Sequence, residues 1–243
     1  MSNDFIFDQL SNLLTNLIWL LLGSGITYLI RYAFIVLPAK RLWGYLISDK
    51  IIICTATTKA DTGEYLRPST GIGQVRALAF VITSLNKAYR KVNFKRILLS
   101  EEEIRHNIED DLLLLGGPKN NQITKLFFEK FDFYNLLNQA EDGSIYWQKT
   151  NKIFKGETKN NKVTKDYGLV IKMKNPFSSS ANTKLILFSG CHTFGTIAAA
   201  KYFCENIQKQ IRLKKDENIA VLVSCDVIDG YPVAIKLEDS IKF

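Results

Sequence analysis

The stretch QLSNLLTNLIWLLLGSGITYLI, residues 9–30, contains no charged side chain. A bilayer has a hydrocarbon core about 30 Å thick, which a helix of about 20 apolar residues crosses. The stretch therefore predicts a single transmembrane helix, with residues 1–41 as the anchor and residues 9–37 in contact with the lipid bilayer. A buried core helix of a soluble protein has a similar composition and remains the alternative.

The charges around this stretch predict its orientation. Two aspartates precede it, whereas Arg31, Lys40 and Arg41 follow it. Basic residues collect on the cytoplasmic side of membrane proteins, so residues 42–243 are expected in the cytosol, below the inner (cytoplasmic) membrane. A secretory signal peptide is excluded, because the leader is acidic and the apolar run is too long.

Polar and aromatic residues suggest how the helix sits in the membrane. Two asparagines, Gly23 and Thr27 fall near one face, and small or amide residues on one face favour close contact between helices. A homo-oligomer is therefore expected, although the asparagines alternatively lie at headgroup level. Trp43 and Tyr45 are predicted to be aromatic anchors at the interface.

The composition beyond the anchor is typical of one globular domain, with 47% hydrophobic and 23% charged residues in the whole chain. The net charge of +8 is spread out, and its densest part has six lysines and one acid between Lys149 and Lys165. A solvated loop is the simplest interpretation, and attraction to anionic headgroups or to a phosphorylated ligand is the alternative. No direct binding of duplex DNA or RNA is expected.

Strand-like and helix-like segments alternate along the domain. This pattern predicts an α/β fold with a mostly parallel, Rossmann-like sheet. The predicted strands cover residues 50–56, 96–99, 111–115, 167–173, 184–189, 219–225 and 233–237. The predicted helices cover residues 72–89, 100–107, 121–131 and 195–212. The lysine-rich stretch 132–165 is expected to be an insertion, irregular or folded as a hairpin around residues 145–147.

Three of the predicted strands end in a polar, glycine-containing turn that leads to a helix. The turns lie at residues 54–74, 115–121 and 189–196. Parallel strands bring such turns to one edge of the sheet, where ligands bind in α/β proteins. The N-terminus of a helix offers unpaired N–H groups and a partial positive charge, and glycine lets a ligand approach the backbone.

These turns predict a site for an anionic, nucleotide-like ligand. The residues expected to bind it are Thr55, Thr57, Gly71, Gly73, Gln74, Gly116, Gly117, Lys119, Asn120, Asn121, Gly190, His192, Thr193, Gly195 and Thr196. Ordinary strand-to-helix turns are the alternative for each turn taken alone. Neither the dinucleotide fingerprint nor the spacing of a P-loop is present.

Catalytic residues are not predicted. His192 follows Cys191 directly, and neighbouring side chains on a turn usually point apart. The chain contains neither GxSxG nor HExxH, and its four cysteines lack the CxxC spacing of a metal site. No cofactor is expected, and free thiols agree with a reducing cytosol. An enzyme acting on a nucleotide or nucleoside, with Asp166, His192 or Asp226 as acid or base, remains the alternative. A scaffold that binds lipid headgroups is a third hypothesis.

The order of these parts resembles the membrane-bound effectors of prokaryotic antiviral defence, whose CARF or SLOG sensor domains bind nucleotide signals such as cyclic oligonucleotides. The turn Gly116-Gly117-Pro118-Lys119 is similar to the Gly-Gly-Ser/Thr-Lys turn of CARF domains, with Pro118 in place of the hydroxyl residue. Residues 55–58 are similar to the Ser/Thr-rich first loop of such domains. The resemblance implies a dimeric sensor, a ligand at the two-fold axis and disruption of the membrane by assembled helices.

Overall fold

In the computed structural model, an N-terminal helical rod precedes one mixed α/β domain. The structure describes residues 3–45, 50–89, 96–100, 107–130, 136–211, 213–214 and 216–243, without the side chains of residues 3–6. Of the helix predicted over residues 100–107, the structure describes only Ser100 and Asn107, so this prediction lies largely outside the described residues. The predicted α/β fold with a mostly parallel central sheet is confirmed.

The described helices and strands follow the predicted alternation. The helices are α1 (Asn3–Arg31), α2 (Leu37–Trp43), α3 (Ile72–Ala88), α4 (Gln122–Lys130), α5 (Thr193–Glu205) and α6 (Ile207–Gln210). The strands are β1 (Ile52–Thr55), β2 (Thr58–Asp61), β3 (Leu66–Ser69), β4 (Ile97–Leu99), β5 (Leu112–Leu115), β6 (Leu137–Gln139), β7 (Ile145–Trp147), β8 (Lys152–Phe154), β9 (Glu157–Lys159), β10 (Lys162–Lys174), β11 (Lys184–Gly190), β12 (Ile219–Ile228) and β13 (Tyr231–Lys242).

The central sheet has the strand order β13-β12-β10-β11-β5-β1-β4. Strands β4, β1, β5 and β11 are parallel, and Thr55 pairs with Leu115 in β5, which in turn pairs with Phe188 in β11. Strand β10 runs antiparallel to both β11 and β12, so β12 points the same way as the parallel group. The carboxyl ends of β1, β5, β11 and β12 therefore lie at one edge of the sheet.

Both faces of the sheet are covered. One face packs against α2, α3 and α5, with Val81, Leu85 and Phe203 fully buried. The opposite face packs against α4 and the small sheet β6-β7-β8, with Phe127 and Trp147 fully buried. The predicted lysine-rich insertion is thus a folded cover over one sheet face. Most of its lysines stay exposed while Leu137, Ile145 and Trp147 complete the core, since each strand alternates its side chains between two faces.

The helical rod continues from α1 through a π-helical turn, Tyr32–Val36, into α2. Pro38 lies in the first turn of α2, has no N–H to donate and crowds the preceding carbonyl groups, which accounts for the widened turn just before it. Phe7–Trp43 is the one stretch of the described chain that is long and apolar enough to cross a membrane, and none of its most apolar window is buried.

The aromatic residues that follow the rod were predicted to be interfacial anchors, and this prediction is wrong. Trp43 is fully buried and Tyr45 is nearly so. Trp43 packs against Phe188 and Phe203 in the core, while the hydroxyl of Tyr45 donates a hydrogen bond to the carbonyl oxygen of Leu112. Burial of a large aromatic ring in a core stabilises the fold by removing much apolar surface from water. Both residues therefore contribute to the core of the domain.

Candidate functional site

The three glycine turns meet at the carboxyl edge of the sheet and enclose a cavity of about 300 Å³. The predicted residues that line it are Gly71, Gln74, Gly117, Lys119, Asn120, Gly190, His192, Thr193 and Thr196. The cavity is also lined by six residues that were not among the predicted ligand-binding residues, Ala56, Thr58, Pro118, Gln139, Gly143 and Cys191. Parallel strand direction brings the turns together, because β1, β5 and β11 end at matching register.

The first turn contributes the start of α3. The chain leaves β1, forms the hairpin β2-β3 and returns at Thr70, whose hydroxyl donates to the carbonyl oxygen of Ala56 at 2.9 Å. Gly71 is the N-cap residue and supplies no side-chain cap. No described residue accepts a hydrogen bond from the Ile72 or Gly73 amide. The start of α3 therefore keeps free N–H donors and its partial positive charge.

The second turn contributes a lysine and an exposed asparagine. Gly116 has φ of 103°, and a Cβ atom there would lie 2.7 Å from Cβ of Ala56, so glycine is required at this position. Lys119 and Asn120 are exposed on the turn. Within the described part of the chain, Lys119 forms no salt bridge. It is therefore available to an anion in the cavity.

The helices after the second and third turns are already capped, which corrects the expectation that all three helix starts are free. The side-chain Oδ1 of Asn121 accepts hydrogen bonds from the Ile123 and Thr124 amides, both at 3.1 Å, at the start of α4. The Asp166 carboxylate accepts from the His192 amide at 3.1 Å and from the Gly195 amide at the start of α5. Of the three starts, that of α3 is left for an anionic ligand.

Asp166 is a buried carboxyl group that belongs to β10. Burial raises the pKa of Asp166, and the hydrogen bond from the Gly195 amide opposes this rise. Its negative charge balances the partial positive charge at the start of α5. The third turn therefore presents the ring of His192 and the side chain of Thr193 to the cavity, and it adds little attraction for a phosphate.

The insertion supplies Gln139, which closes one side of the cavity. Its Nε2 donates to the carbonyl oxygens of Gly190 at 3.0 Å and Gly143 at 3.4 Å, which establishes the orientation of the amide. Gln139 is only 3% exposed, and its buried Oε1 has no hydrogen-bond partner among the described residues. An unsatisfied buried acceptor costs about 1–3 kcal/mol, so a ligand that donates to it gains affinity.

Two glycines make room for the polar side chains of this wall. A Cβ atom at Gly117 would lie 3.1 Å from Nε2 of Gln139, and one at Gly156 would lie 2.6 Å from the ring of His192. The Nε2 atom of His192 is itself buried without a partner in the described chain. Two of the residues that line the cavity thus have a buried polar atom without a hydrogen-bond partner among the described residues.

Some predicted residues stabilise the turns and do not line the cavity. The hydroxyl of Thr55 donates to the carbonyl oxygen of Leu98, and that of Thr57 accepts from the Ser100 amide at 2.8 Å. Gly73 allows the close approach of α3 to Thr193, and Gly195 allows that of α5 to β10. The residues in this structural group are Thr55, Thr57, Gly73, Gly116, Asn121 and Gly195.

The arrangement offers poor nucleophiles and bases. Burial raises the pKa of the Cys191 thiol to about 12, which leaves it protonated at neutral pH. Both carboxylate oxygens of Asp166 accept backbone hydrogen bonds, and Asp226 is exposed and does not line the cavity. Within the described residues, no group of histidine, cysteine and acidic side chains could hold a metal ion.

Comparison of the chain with protein-family models, curated protein sequences and solved structures finds no match.

Proposed function

We propose that this chain is a membrane-anchored sensor whose Rossmann-like domain binds a small nucleotide-type anion at the carboxyl edge of its sheet. The observation that carries the proposal is that three residues line one cavity: Gly71 at the uncapped start of α3, Lys119 and Gln139. Among the described residues, Lys119 has no salt-bridge partner and Oε1 of Gln139 has no hydrogen-bond partner. Binding changes the packing of α3 and, through it, the association of the apolar helices.

The chemistry of the cavity favours a ligand with two kinds of group. The amides at the start of α3 and the ammonium of Lys119 attract a phosphate. The Oε1 of Gln139 requires a donor, such as the exocyclic amine of a base or a ribose hydroxyl. A nucleotide carries both. Inorganic phosphate satisfies the first group alone and is expected to bind more weakly.

The apolar helix supports a membrane location. Along α1 the large side chains are exposed on every side, including Leu13 (71%), Trp19 (69%) and Leu29 (65%). Soluble monomers rarely expose a continuous apolar surface of this extent. The proposal therefore has α1 crossing the cytoplasmic membrane once, with the domain in the cytosol and the helices of several copies in contact.

Helix α3 connects the two parts. Its first turn lines the ligand cavity and its last turn contacts the region where the apolar helix meets the domain. The helix has 17 residues and is therefore about 25 Å long. A shift of α3 on ligand binding reaches α2 directly, because α2 packs on α3. In keeping with the resemblance to CARF- and SLOG-type effectors, the output is assembly of the helices and disruption of the membrane.

Binding to the purified full-length protein in detergent tests the proposal. The panel contains nucleoside mono- and diphosphates, cyclic mononucleotides and cyclic oligonucleotides, measured by calorimetry. We expect one class to bind, and Lys119→Ala to weaken binding about tenfold, as loss of a charge-assisted hydrogen bond does. The matched control is Lys152→Ala, another exposed lysine, which does not line the cavity.

Two further readouts separate binding from its consequence. Gln139→Met, which removes the acceptor at similar volume, is expected to weaken the nucleotide but not inorganic phosphate, with near-UV circular dichroism as the check on folding. Ligand-dependent dye release from liposomes measures the output. The proposal fails if no class in the panel binds, or if Lys119→Ala and Lys152→Ala bind the ligand equally. Turnover of the bound nucleotide, lost in His192→Ala, favours the enzyme alternative.

A further inference from the structure

A second cavity lies where the helical rod joins the domain. It has a volume of about 430 Å³ and is lined by Tyr28, Arg31, Tyr32, Val36, Lys40, Asn86, Lys87, Ala88 and Tyr89. The first five of these residues belong to the rod, and the others belong to the end of α3 and the residue after it. Arg31 directly follows the uncharged stretch 9–30, so the cavity lies where this uncharged stretch of the rod ends.

The charge of this cavity is positive. Arg31, Lys40 and Lys87 line it, and no acidic residue of the described chain does. None of the three forms a salt bridge with a described acidic side chain. Lys87 also offsets the partial negative charge at the carboxyl end of α3. Three unpaired cations from two separate elements therefore converge on one concave surface.

The aromatic residues of the cavity match the boundary between acyl chains and headgroups. The rings of Tyr28 and Tyr32 are stacked, with centroids 6.3 Å apart. Nζ of Lys40 lies 6.0 Å from the centroid of Tyr32. Tyrosine favours this depth because its ring is apolar and its hydroxyl is polar. The rod thus presents apolar rings and cationic groups together, as the acyl and phosphate parts of a lipid require.

We propose that this cavity binds the phosphate of an anionic lipid headgroup through Arg31, Lys40 and Lys87. The inference rests on the membrane anchor of the proposed function and is independent of the nucleotide cavity. It adds a second site at the opposite end of α3. A bound headgroup holds Lys87 against the rod, so the lipid composition of the membrane affects the coupling between α3 and the apolar helix.

Native mass spectrometry of the full-length protein in neutral detergent tests the site. Phosphatidylglycerol and phosphatidylcholine with the same acyl chains are titrated in parallel. We expect the wild-type protein to retain phosphatidylglycerol preferentially, and each of Arg31→Gln, Lys40→Gln and Lys87→Gln to reduce this preference about fivefold, the usual contribution of one cation near an anionic lipid surface. Lys152→Gln, distant in sequence and not lining this cavity, is the matched control and is expected to leave the preference unchanged.

The remaining outcomes are distinguishable. Equal retention of the two lipids, or an unchanged preference in the triple variant, overturns the headgroup site. Displacement of the lipid by equimolar glycerol phosphate assigns the cavity to a soluble phosphate and also overturns it. Alkaline carbonate extraction of cell membranes reports on the anchor separately. A chain that resists extraction but shows no lipid preference refutes the site alone, whereas a chain that is released refutes the anchor and the site together.

Discussion

Trp43 donates its indole N–H to the hydroxyl oxygen of Ser84 at 3.1 Å, in the buried contact between α2 and α3. Trp43 is the last residue of the helical rod, and its ring also packs on Phe203 with centroids 5.1 Å apart. The rod therefore ends inside the core of the domain. Any movement of α3 that follows ligand binding must displace the base of the apolar helix.

Removal of the hydroxyl group of Ser84 tests how much this contact between α2 and α3 contributes to stability. Ser84→Ala leaves the buried N–H of Trp43 without a partner, so we expect the free energy of unfolding to fall by about 1–3 kcal/mol. The matched control is Thr83→Ala on the same helix, because the exposed Thr83 hydroxyl bonds only to its own helix at Ala79. Urea unfolding of the full-length protein in detergent, followed by tryptophan fluorescence, measures both variants. Equal losses of unfolding free energy in the two variants would contradict the role of Ser84 in the contact between α2 and α3.

The neighbouring residues Asn120 and Asn121 are expected to respond differently to substitution. Asn121→Ala removes the cap of α4 and the donor to the carbonyl oxygen of Leu115 at 3.1 Å, so unfolding free energy is expected to fall by about 1–2 kcal/mol. Asn120→Ala is expected to retain full stability, since its side chain is exposed at the cavity. Thermal unfolding compares the two. If Asn121→Ala is as stable as the wild-type protein, Asn121 does not stabilise α4 as a cap.

Two glycines of the candidate site provide a similar contrast. A Cβ atom at Gly195 would lie 2.0 Å from the carbonyl oxygen of Tyr167, so Gly195→Ala must push α5 away from β10. We expect a loss of about 1–3 kcal/mol or failure to fold. At Gly71 the nearest atom is the end of the flexible Gln74 side chain, 2.8 Å away, so Gly71→Ala is expected to cost under about 1 kcal/mol. Denaturant midpoints measure both, and equal losses would be inconsistent with the close packing.

Lys172 makes stability depend on pH. Burial, followed by the nearby charge of Lys184, lowers the pKa of Lys172 to about 8 from 10.5, although Asp216 and Glu217 oppose the shift. Between these two values the unfolded chain binds more protons than the folded chain, so stability rises with pH, by at most about 1.4 kcal/mol per pH unit. Below the folded pKa this contribution is constant.

The substitution Lys172→Met isolates the contribution of Lys172 to the pH dependence of stability. We expect stability to increase less, or to decrease more, between pH 8 and pH 10 in the variant than in the wild-type protein, because the contribution of Lys172 is gone. Unfolding by urea at a series of pH values measures the difference from the wild-type protein. Lys174→Met is the control on the same strand, since Lys174 is exposed. An equal dependence of stability on pH in the wild-type protein and in Lys172→Met would disprove the prediction.

Elements that depend on consecutive residues could be predicted. The uniformly apolar β5, the helical periodicity of α3 and the Asp229-Gly230 turn, whose two residues both have positive φ, follow local rules. The meeting of the three turns could also be predicted, because parallel strands place their carboxyl ends at one edge. The hairpin β2-β3 was missed, because its strands are short, polar and exposed.

The residues that shape the cavity depend on partners far away in the sequence. Gln139 reaches Gly190, and Asp166 caps a helix that begins at Thr193. No local pattern distinguishes these side chains from other polar residues in the insertion or at a strand end. The burial of Trp43 also depends on α3 and α5, which form later in the chain, so the sequence alone favoured the membrane interface for it.

The sequence by itself determined the apolar helix, the order of strands and helices, and the edge at which the polar turns gather. These features depend on hydrophobic periodicity, strand direction and turn residues, which are local properties. Only the tertiary structure decided which helix start stays open, which cations remain unpaired and how the apolar helix enters the core. Those outcomes depend on which distant groups satisfy each buried donor, acceptor and charge, and folding settles this across the whole chain at once.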